Sequence, residues 1–372
     1  MSRFWNTSDN AGPSLLDVAK FWDRRPRPLR KENRTRPQPF EGHKEPVQLF
    51  GQDANRVADF WRRHYGGEDW WLDLGPAEVR NILNDPDGLA FGVAENNGDL
   101  VGTILCRALV PAGGELCVGT EATLEKAYRI EGLCVHPAWR GRHLAGWLIA
   151  WVDYTMNREG PNAFFWAREV PTGAHGTDIS MHTYAYARIA DLRKARADYA
   201  PVNAIQLSWK DMAEMWAKSA PAWKSDGRIV GTRLFAEDAE RMEVWTDTDT
   251  SQVIILADTM RRTRGAKGSA VGGDPANEPI WEVQWCGWRT MMGTLLPARQ
   301  EADFRRLLET VATIGRQGGL IFVSDALMQG GAKMSWPLPW KFGTSGFHAI
   351  YIYNYMPPTF WTCELVALRS EV

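Results

Sequence analysis

The residues most able to do chemistry lie in one run, Leu133-Cys134-Val135-His136-Pro137-Ala138-Trp139-Arg140-Gly141-Arg142-His143-Leu144-Ala145. A buried-strand pattern leads into a basic, glycine-containing loop, and then into Leu144, Trp147, Leu148, Trp151 and Val152 at helical spacing. Such a loop and helix start aim several backbone N–H groups at one anion, and helix N-termini carry about half a positive charge. Gly141 removes side-chain bulk where a phosphate would approach, and Arg140 and Arg142 can add charge-assisted bonds. A pyrophosphate fits this constellation, that of coenzyme A among others. The competing reading is an ordinary basic turn between a strand and a helix.

The elements that must hold this run are legible on either side of it. A strand is expected over Ala127 to Val135. Upstream, the apolar runs Leu89 to Ala94 and Leu100 to Leu105 flank Asn96-Asn97-Gly98-Asp99, which predicts a hairpin. Before them, Val47 to Leu83 has a helical pattern, and helices followed by a meander predict an α+β fold. Downstream the grammar recurs loosely. A helix is expected near Ser208 to Lys218, with Ser208 and Asp211 at capping-box spacing, then strands at Val253 to Asp258 and Ile280 to Trp288. A glycine-rich loop, Arg264 to Pro279, separates those strands; a helix at Glu301 to Arg316 and strands at Leu320 to Ser324 and Ala349 to Asn354 follow. This predicts an extended arm at 1–45 and two related αβ halves, 46–200 and 201–372. Trp281, Val283 and Trp285 alternate as one core face would, with an acyl-chain or peptide wall as the other reading.

Composition bounds the rest. The chain has 372 residues, 44% of them hydrophobic, with 19 tryptophans, so it can bury a large core without staples. With 43 Lys and Arg against 45 Asp and Glu, the net charge of -2 supplies no global field for DNA or an anionic membrane. The Pro-punctuated run from Arg24 to Arg36 reads as a solvated strap, or as a contact for phosphates, ribosomal RNA or acidic lipid. Cys106, Cys117, Cys134, Cys286 and Cys363 lack CxxC spacing, which suggests a reducing interior. With no apolar leader at Met1 and no long apolar span, a soluble cytoplasmic monomer is expected. Gx4GK[ST], HExxH, GxSxG and clustered Cys/His patterns are absent from the sequence, so no metal is expected and NTPase, metalloprotease and serine hydrolase readings lack residues. The seven histidines read as structural or solvent-facing.

The loop resembles that of the GNAT acetyltransferase superfamily, V-x-P-x-x-R-G-x-G-x-A, with His143 where the second glycine usually sits. It resembles the N-myristoyltransferases more closely: their E-I-N-F-L-C-V-H compares with Arg129-Ile130-Glu131-Gly132-Leu133-Cys134-Val135-His136. Lys20-Phe21-Trp22-Asp23 is similar to that family's K-F-W-D, and Lys341-Phe342-Gly343 with Tyr351-Ile352-Tyr353-Asn354-Tyr355 is similar to its C-terminal K-F-G and Y-Y-L-Y-N-W segments.

The resemblance implies two fused GNAT-like halves with pseudo-two-fold symmetry, a mixed β-sheet flanked by helices. Residues 46–200 would hold myristoyl-CoA as co-substrate, and 201–372 would shape the groove for N-terminal glycine peptides or proteins. The thioester carbonyl would sit on the backbone N–H groups of Gly132 and Leu133 as an oxyanion hole. Acyl-CoA would be bound by Lys20, Phe21, Trp22, Gly132, Leu133, Cys134, Val135, Arg140, Gly141, Arg142, His143, Leu144 and Ala145, and the peptide by Glu131 and Tyr351. The Val372 carboxylate would take the proton of the glycine ammonium, with Glu371 as the alternative base. The departures cluster on the peptide side. Glu131 stands where the family has Asn, Ala187 where it has His, and its acidic run thins to Tyr65-Gly66-Gly67-Glu68-Asp69.

The expected function is therefore myristoyl transfer to an N-terminal glycine. The alternatives are acetyl transfer to an amine and a catalytically silent acyl-CoA or peptide-binding module.

Overall fold

The structure is a computed structural model that describes residues 27–28, 35–66, 70–118, 122–124, 126–158, 162–169, 177–182, 184–195, 202–225, 229–264, 277–297, 302–316, 318–324, 338–342, 348–353, 355–356 and 365–366. Its architecture is α+β, with mixed sheets flanked by helices, as expected.

Among the described residues, the sheet that carries the loop has seven strands. Five are Val47–Gln48 (β1), Leu89–Ala94 (β2), Leu100–Ala108 (β3), Ala127–Val135 (β4) and Ala163–Glu169 (β5). They stand in the order β5-β4-β3-β2-β1, with His348–Tyr353 and then Thr177–His182 added beyond β5. Neighbours run antiparallel except β4 and β5, which are parallel. Asn97 closes the expected β2–β3 hairpin, its Oδ1 accepting from Asp99 N at 3.0 Å while Gly98 takes φ +89°. Every residue of β3 is buried, because both faces of the sheet are covered. On one face lie helices Ala54–His64 (α1) and Pro76–Leu83 (α2), packing Trp61, Val79 and Leu83 against Leu105 and Cys134. On the other lies helix Leu144–Asn157 (α3), packing Leu144, Trp147 and Leu148 against Ile104 and Tyr128.

The stretch from Val47 to Leu83 is not continuous helix. Trp70–Leu72 forms a strand between α1 and α2, because it pairs antiparallel with Arg261–Thr263 in the second, nine-stranded sheet. Gly75 and Pro76 then restart the helix, with Pro at its first turn where a missing N–H costs nothing.

In the second sheet Gln252–Thr263 pairs with Pro279–Arg289, both longer than the strands read from sequence. The register shifts where Ile255 opposes Trp285 and Leu256 opposes Val283, leaving Gln284 as an extra residue. That bulge turns Trp285 over. Trp281 and Val283 pack with Ile254, Phe304 and Leu308, whereas Trp285 packs on the opposite face with Trp216 and Trp223, so the three do not share one core face.

Helix Trp209–Ser225 begins as the capping spacing implies, Ser208 Oγ accepting from Asp211 N at 3.1 Å. Helix Ala302–Thr313 stops short of Arg316, whose guanidinium folds back to donate to Val311 O at 2.7 Å. Of the Arg24 to Arg36 run, Arg27–Pro28 pairs with Tyr355–Met356, and Arg36 bonds Glu45 and lies over Trp151 on α3. Cys106, Cys117, Cys134 and Cys286 are all buried. Most of the glycine-rich loop lies outside the described residues.

Candidate functional site

At the centre of the seven-stranded sheet the ladder between β3 and β4 is interrupted. Thr103 pairs with Cys134 and Leu105 with Glu131, so Gly132 and Leu133 together face the single residue Ile104. Gly132 meets this bulge at φ +58°, a region where a side chain is strained. Its surroundings demand glycine too: an added Cβ would meet Leu105 Cδ1 at 2.8 Å and Trp61 Cζ2 at 3.1 Å. A polar chain fixes its carbonyl, Trp61 Nε1 donating to Thr103 Oγ1 and Thr103 Oγ1 donating to Gly132 O, each at 2.9 Å. Leu133, the next residue, stands 37% exposed between the buried Gly132 and Cys134.

On its other edge β4 pairs with β5 only through Ala127–Arg129. Beyond Arg129, β4 continues to Val135 with no ladder partner on that side among the described residues, while β5 continues alongside His348–Tyr353. The two parallel strands therefore part just before the bulge. Among the described residues the result is a slot whose one wall is Ile130 to Val135, with Gly132 and Leu133 in its middle.

The loop closes one end of this slot. After β4, a 3-10 turn at Pro137–Trp139 is capped by His136, whose Nδ1 accepts from Ala138 N at 3.2 Å. Arg140 Nε donates to Val135 O at 3.1 Å, pinning the guanidinium stem to the end of the strand. Gly141 takes φ +80°, and a Cβ there would find nothing within 4 Å, so space is open above its backbone. His143 takes φ +68° as the residue before α3 and supplies no side-chain cap to that helix. Arg142 lies 5.1 Å from the Trp139 ring centroid and pairs with exposed Glu41 at 3.3 Å. The start of α3 is anchored rigidly, because Leu144 packs where a Cβ on Gly102 would come within 2.9 Å of it.

These features fit the phosphates of a CoA thioester. The helix start keeps its first turn clear of side-chain caps, the glycine leaves room for close approach, and two guanidinium groups flank it. Of the residues read from sequence, Gly132, Leu133, Cys134, Val135, Arg140, Gly141, Arg142, His143, Leu144 and Ala145 fall on this one strand, loop and helix start. The Cys134 side chain packs in the core beside Trp61, and burial pushes its thiol up to about 12, so it stays a neutral S–H. Lys20, Phe21, Trp22, Glu371 and Val372 lie outside the described residues, as does Gly67-Glu68-Asp69 of the thinned acidic run. Tyr351 falls on a strand between Trp166 of β5 and Asp178.

Glu131 lies on the α1 face of β4, its carboxylate 3.7 Å from the Arg107 guanidinium, both side chains 5% exposed. Tyr65 sits at the end of α1, and burial raises its hydroxyl above the usual value, opposed by Arg261. It therefore stays protonated.

Sequence reasoning missed one feature: the rings of His64 and His136 meet edge-on with centroids 4.5 Å apart. His64 ends α1 and His136 follows the loop strand, capping the 3-10 turn, so no local spacing could have signalled the contact.

Residues 55–176 match the Acetyltransferase (GNAT) family. A comparison with curated proteins found no match. Among solved structures, the chain is similar to Saccharomyces cerevisiae N-myristoyltransferase with bound myristoyl-CoA, at 12% identity, covering 94% of this chain and 90% of that one with a TM-score of 0.58. The same yeast enzyme with bound myristoyl-CoA and inhibitors gives 11% identity, 93% and 91% coverage and a TM-score of 0.58. At these identities the likeness is one of fold.

Proposed function

We propose that this chain is an acyltransferase that moves a long acyl group, myristate, from its CoA thioester to the amine of an N-terminal glycine. The observation that carries the reading is the Gly132–Leu133 bulge at the point where β4 and β5 part, directly upstream of the phosphate-fitting loop. The match to the GNAT family over that same region supports acyl transfer, and the fold likeness to a myristoyl-CoA-bound enzyme along nearly the whole chain supports the longer acyl group.

In this reading residues 46–200 hold the acyl-CoA and residues 201–372 shape the acceptor groove. The loop from Arg140 to Ala145 binds the phosphates. The main-chain N–H groups of Gly132 and Leu133 receive the thioester oxygen as it gains negative charge, which is where fixed donors lower a barrier most. The glycine amine forms the new amide bond as the C–S bond breaks and CoA leaves as a thiol. A carboxylate, that of the Glu371 side chain in this chain, takes the proton that the ammonium must lose first. In water that transfer runs uphill by about 6 kcal/mol, so the site must desolvate both groups.

Chain length separates this from acetyl transfer, which the acetyltransferase family match favours. A buried tetradecanoyl chain contributes about 0.8 kcal/mol per methylene, and an acetyl group almost none of that. Purified protein given radiolabelled myristoyl-CoA and a library of Gly-first peptides is expected to yield acyl peptide. Turnover with acetyl-CoA alone would select the shorter donor. Binding of acyl-CoA without turnover over the whole library would make the chain a silent binding module and overturn the proposal.

A further inference from the structure

His64 and His136 occupy an unusual electrostatic position. His64 is the last residue of α1, its ring packed on Phe60 of the same helix at 5.1 Å and on His136 at the start of the loop at 4.5 Å. The charged and titratable groups that act on it are His136, Arg63 and Arg140, all of them basic. Burial, then His136, Arg63 and Arg140, pull the His64 imidazole below its usual value, so in the free protein it is neutral at pH 7. His136 has a defined tautomer. Its Nδ1 accepts the Ala138 N–H, so the neutral ring carries its proton on Nε2, as a donor.

A cluster of basic groups beside a loop with open backbone is complementary to a polyanion. A phosphate carries about -1.5 to -2 charges at neutral pH and opposes the basic groups that, after burial, hold the His64 imidazole below its usual value. The carbonyl end of α1, on which His64 sits, favours the cation as well.

We propose that His64, His136 and Arg140 form a second phosphate contact beside the loop, in which His64 takes up a proton as a phosphate of the CoA thioester arrives. This rests on the acyl-CoA reading above. The role of His136 is to donate from Nε2 while its Nδ1 keeps the loop turn capped. The role of His64 is to supply the charge that makes affinity depend on pH. Because the bound state holds the extra proton, affinity is highest at low pH and falls as pH rises through the bound-state value of His64.

Isothermal titration of the full chain with CoA, 3′-dephospho-CoA and inorganic phosphate, between pH 5.5 and 8 in two buffers of different ionisation enthalpy, tests this. Wild type is expected to take up protons with CoA, and to lose about tenfold more affinity across the range than His64→Gln does, if the bound proton raises the imidazole by one pKa unit. Comparison with His64→Gln also removes the ionisation of the phosphate itself, which acts in the opposite direction. His64→Lys, permanently charged, is expected to hold the high affinity at every pH, which keeps the test valid if the glutamine variant folds poorly. Proton uptake lost with 3′-dephospho-CoA places the contact at the 3′-phosphate; uptake retained places it at the pyrophosphate. Equal uptake and equal pH dependence in wild type and both variants overturn this inference and leave CoA binding intact. No CoA binding, with His64-dependent binding of inorganic phosphate, keeps the contact and overturns the acyl-CoA reading.

Discussion

Thr103 Oγ1 donates to the carbonyl of Gly132 at 2.9 Å while accepting the indole N–H of Trp61 at the same distance. One buried hydroxyl thus ties helix α1 to the bulge on which the proposed chemistry depends. A hydroxyl buried this deeply and bonded on both sides is costly to remove, because its two partners are then left in an apolar core.

Thr103→Val is expected to destabilise the fold by about 1–3 kcal/mol and to lower turnover more than acyl-CoA affinity, since the bulge is loosened while the loop stays intact. Urea denaturation together with kcat and CoA titration checks this. A variant that loses stability alone would show that the Gly132 carbonyl needs no such tether.

At Gly141 two effects can be separated. Gly141→Val places a β-branched side chain at φ +80°, with strain of about 1–2 kcal/mol, and fills the open space above the backbone. Gly141→Asn tolerates the backbone but still fills the space. Both are expected to weaken CoA binding by tenfold or more as an order-of-magnitude loss, while only the valine variant shows the larger drop in thermal stability. Parallel losses of stability and binding in the two would reduce the loop to a structural turn.

Arg140→Ala is expected to cost about 1.5–3 kcal/mol in acyl-CoA affinity, the range of a charge-assisted bond, and to lower the salt dependence of the binding that remains, because one cation–phosphate contact is gone. Equilibrium titration at two ionic strengths measures it. Unchanged affinity would leave Arg140 as a brace for Val135 alone.

Glu309 gives a pH prediction outside the site. It is buried within helix Ala302–Thr313, and burial raises its carboxyl above the usual value, opposed by the Trp340 indole N–H bonded at 3.1 Å and by Arg305. A raised acid favours the protonated form in the fold, so its stabilising contribution is full at low pH and is lost as pH rises through the folded-state value. Glu309→Gln, which keeps an acceptor for Trp340, is expected to raise the melting temperature at pH 7 and to change it little near pH 4. A lower melting temperature at pH 7 would mean that the ion pair with Arg305 outweighs the burial.

The sequence by itself determined the local grammar. Strands Leu89–Ala94, Ala127–Val135 and Leu320–Ser324 coincide with their apolar runs, and Ser208 caps the helix that its spacing with Asp211 predicts. The loop from His136 to His143 lies between strand and helix as read, because glycine, proline and helical periodicity act within a few residues of one another. Tertiary structure alone decided what depends on pairing between distant segments. Trp70–Leu72 became a strand because Arg261–Thr263 offered its edge, and Trp285 changed faces because its ladder with Ile255 carries one residue too many. His348–Tyr353 completed the sheet that bears the loop, although it lies near the other end of the chain. The same is true of His64 and His136. Each is an ordinary histidine at the end of its own element, and only the packing of α1 across β4 brings the two rings together and gives them a shared field. Periodicity encodes which face of an element is apolar; it carries no record of which partner covers that face, and the partner is what sets charge, register and access.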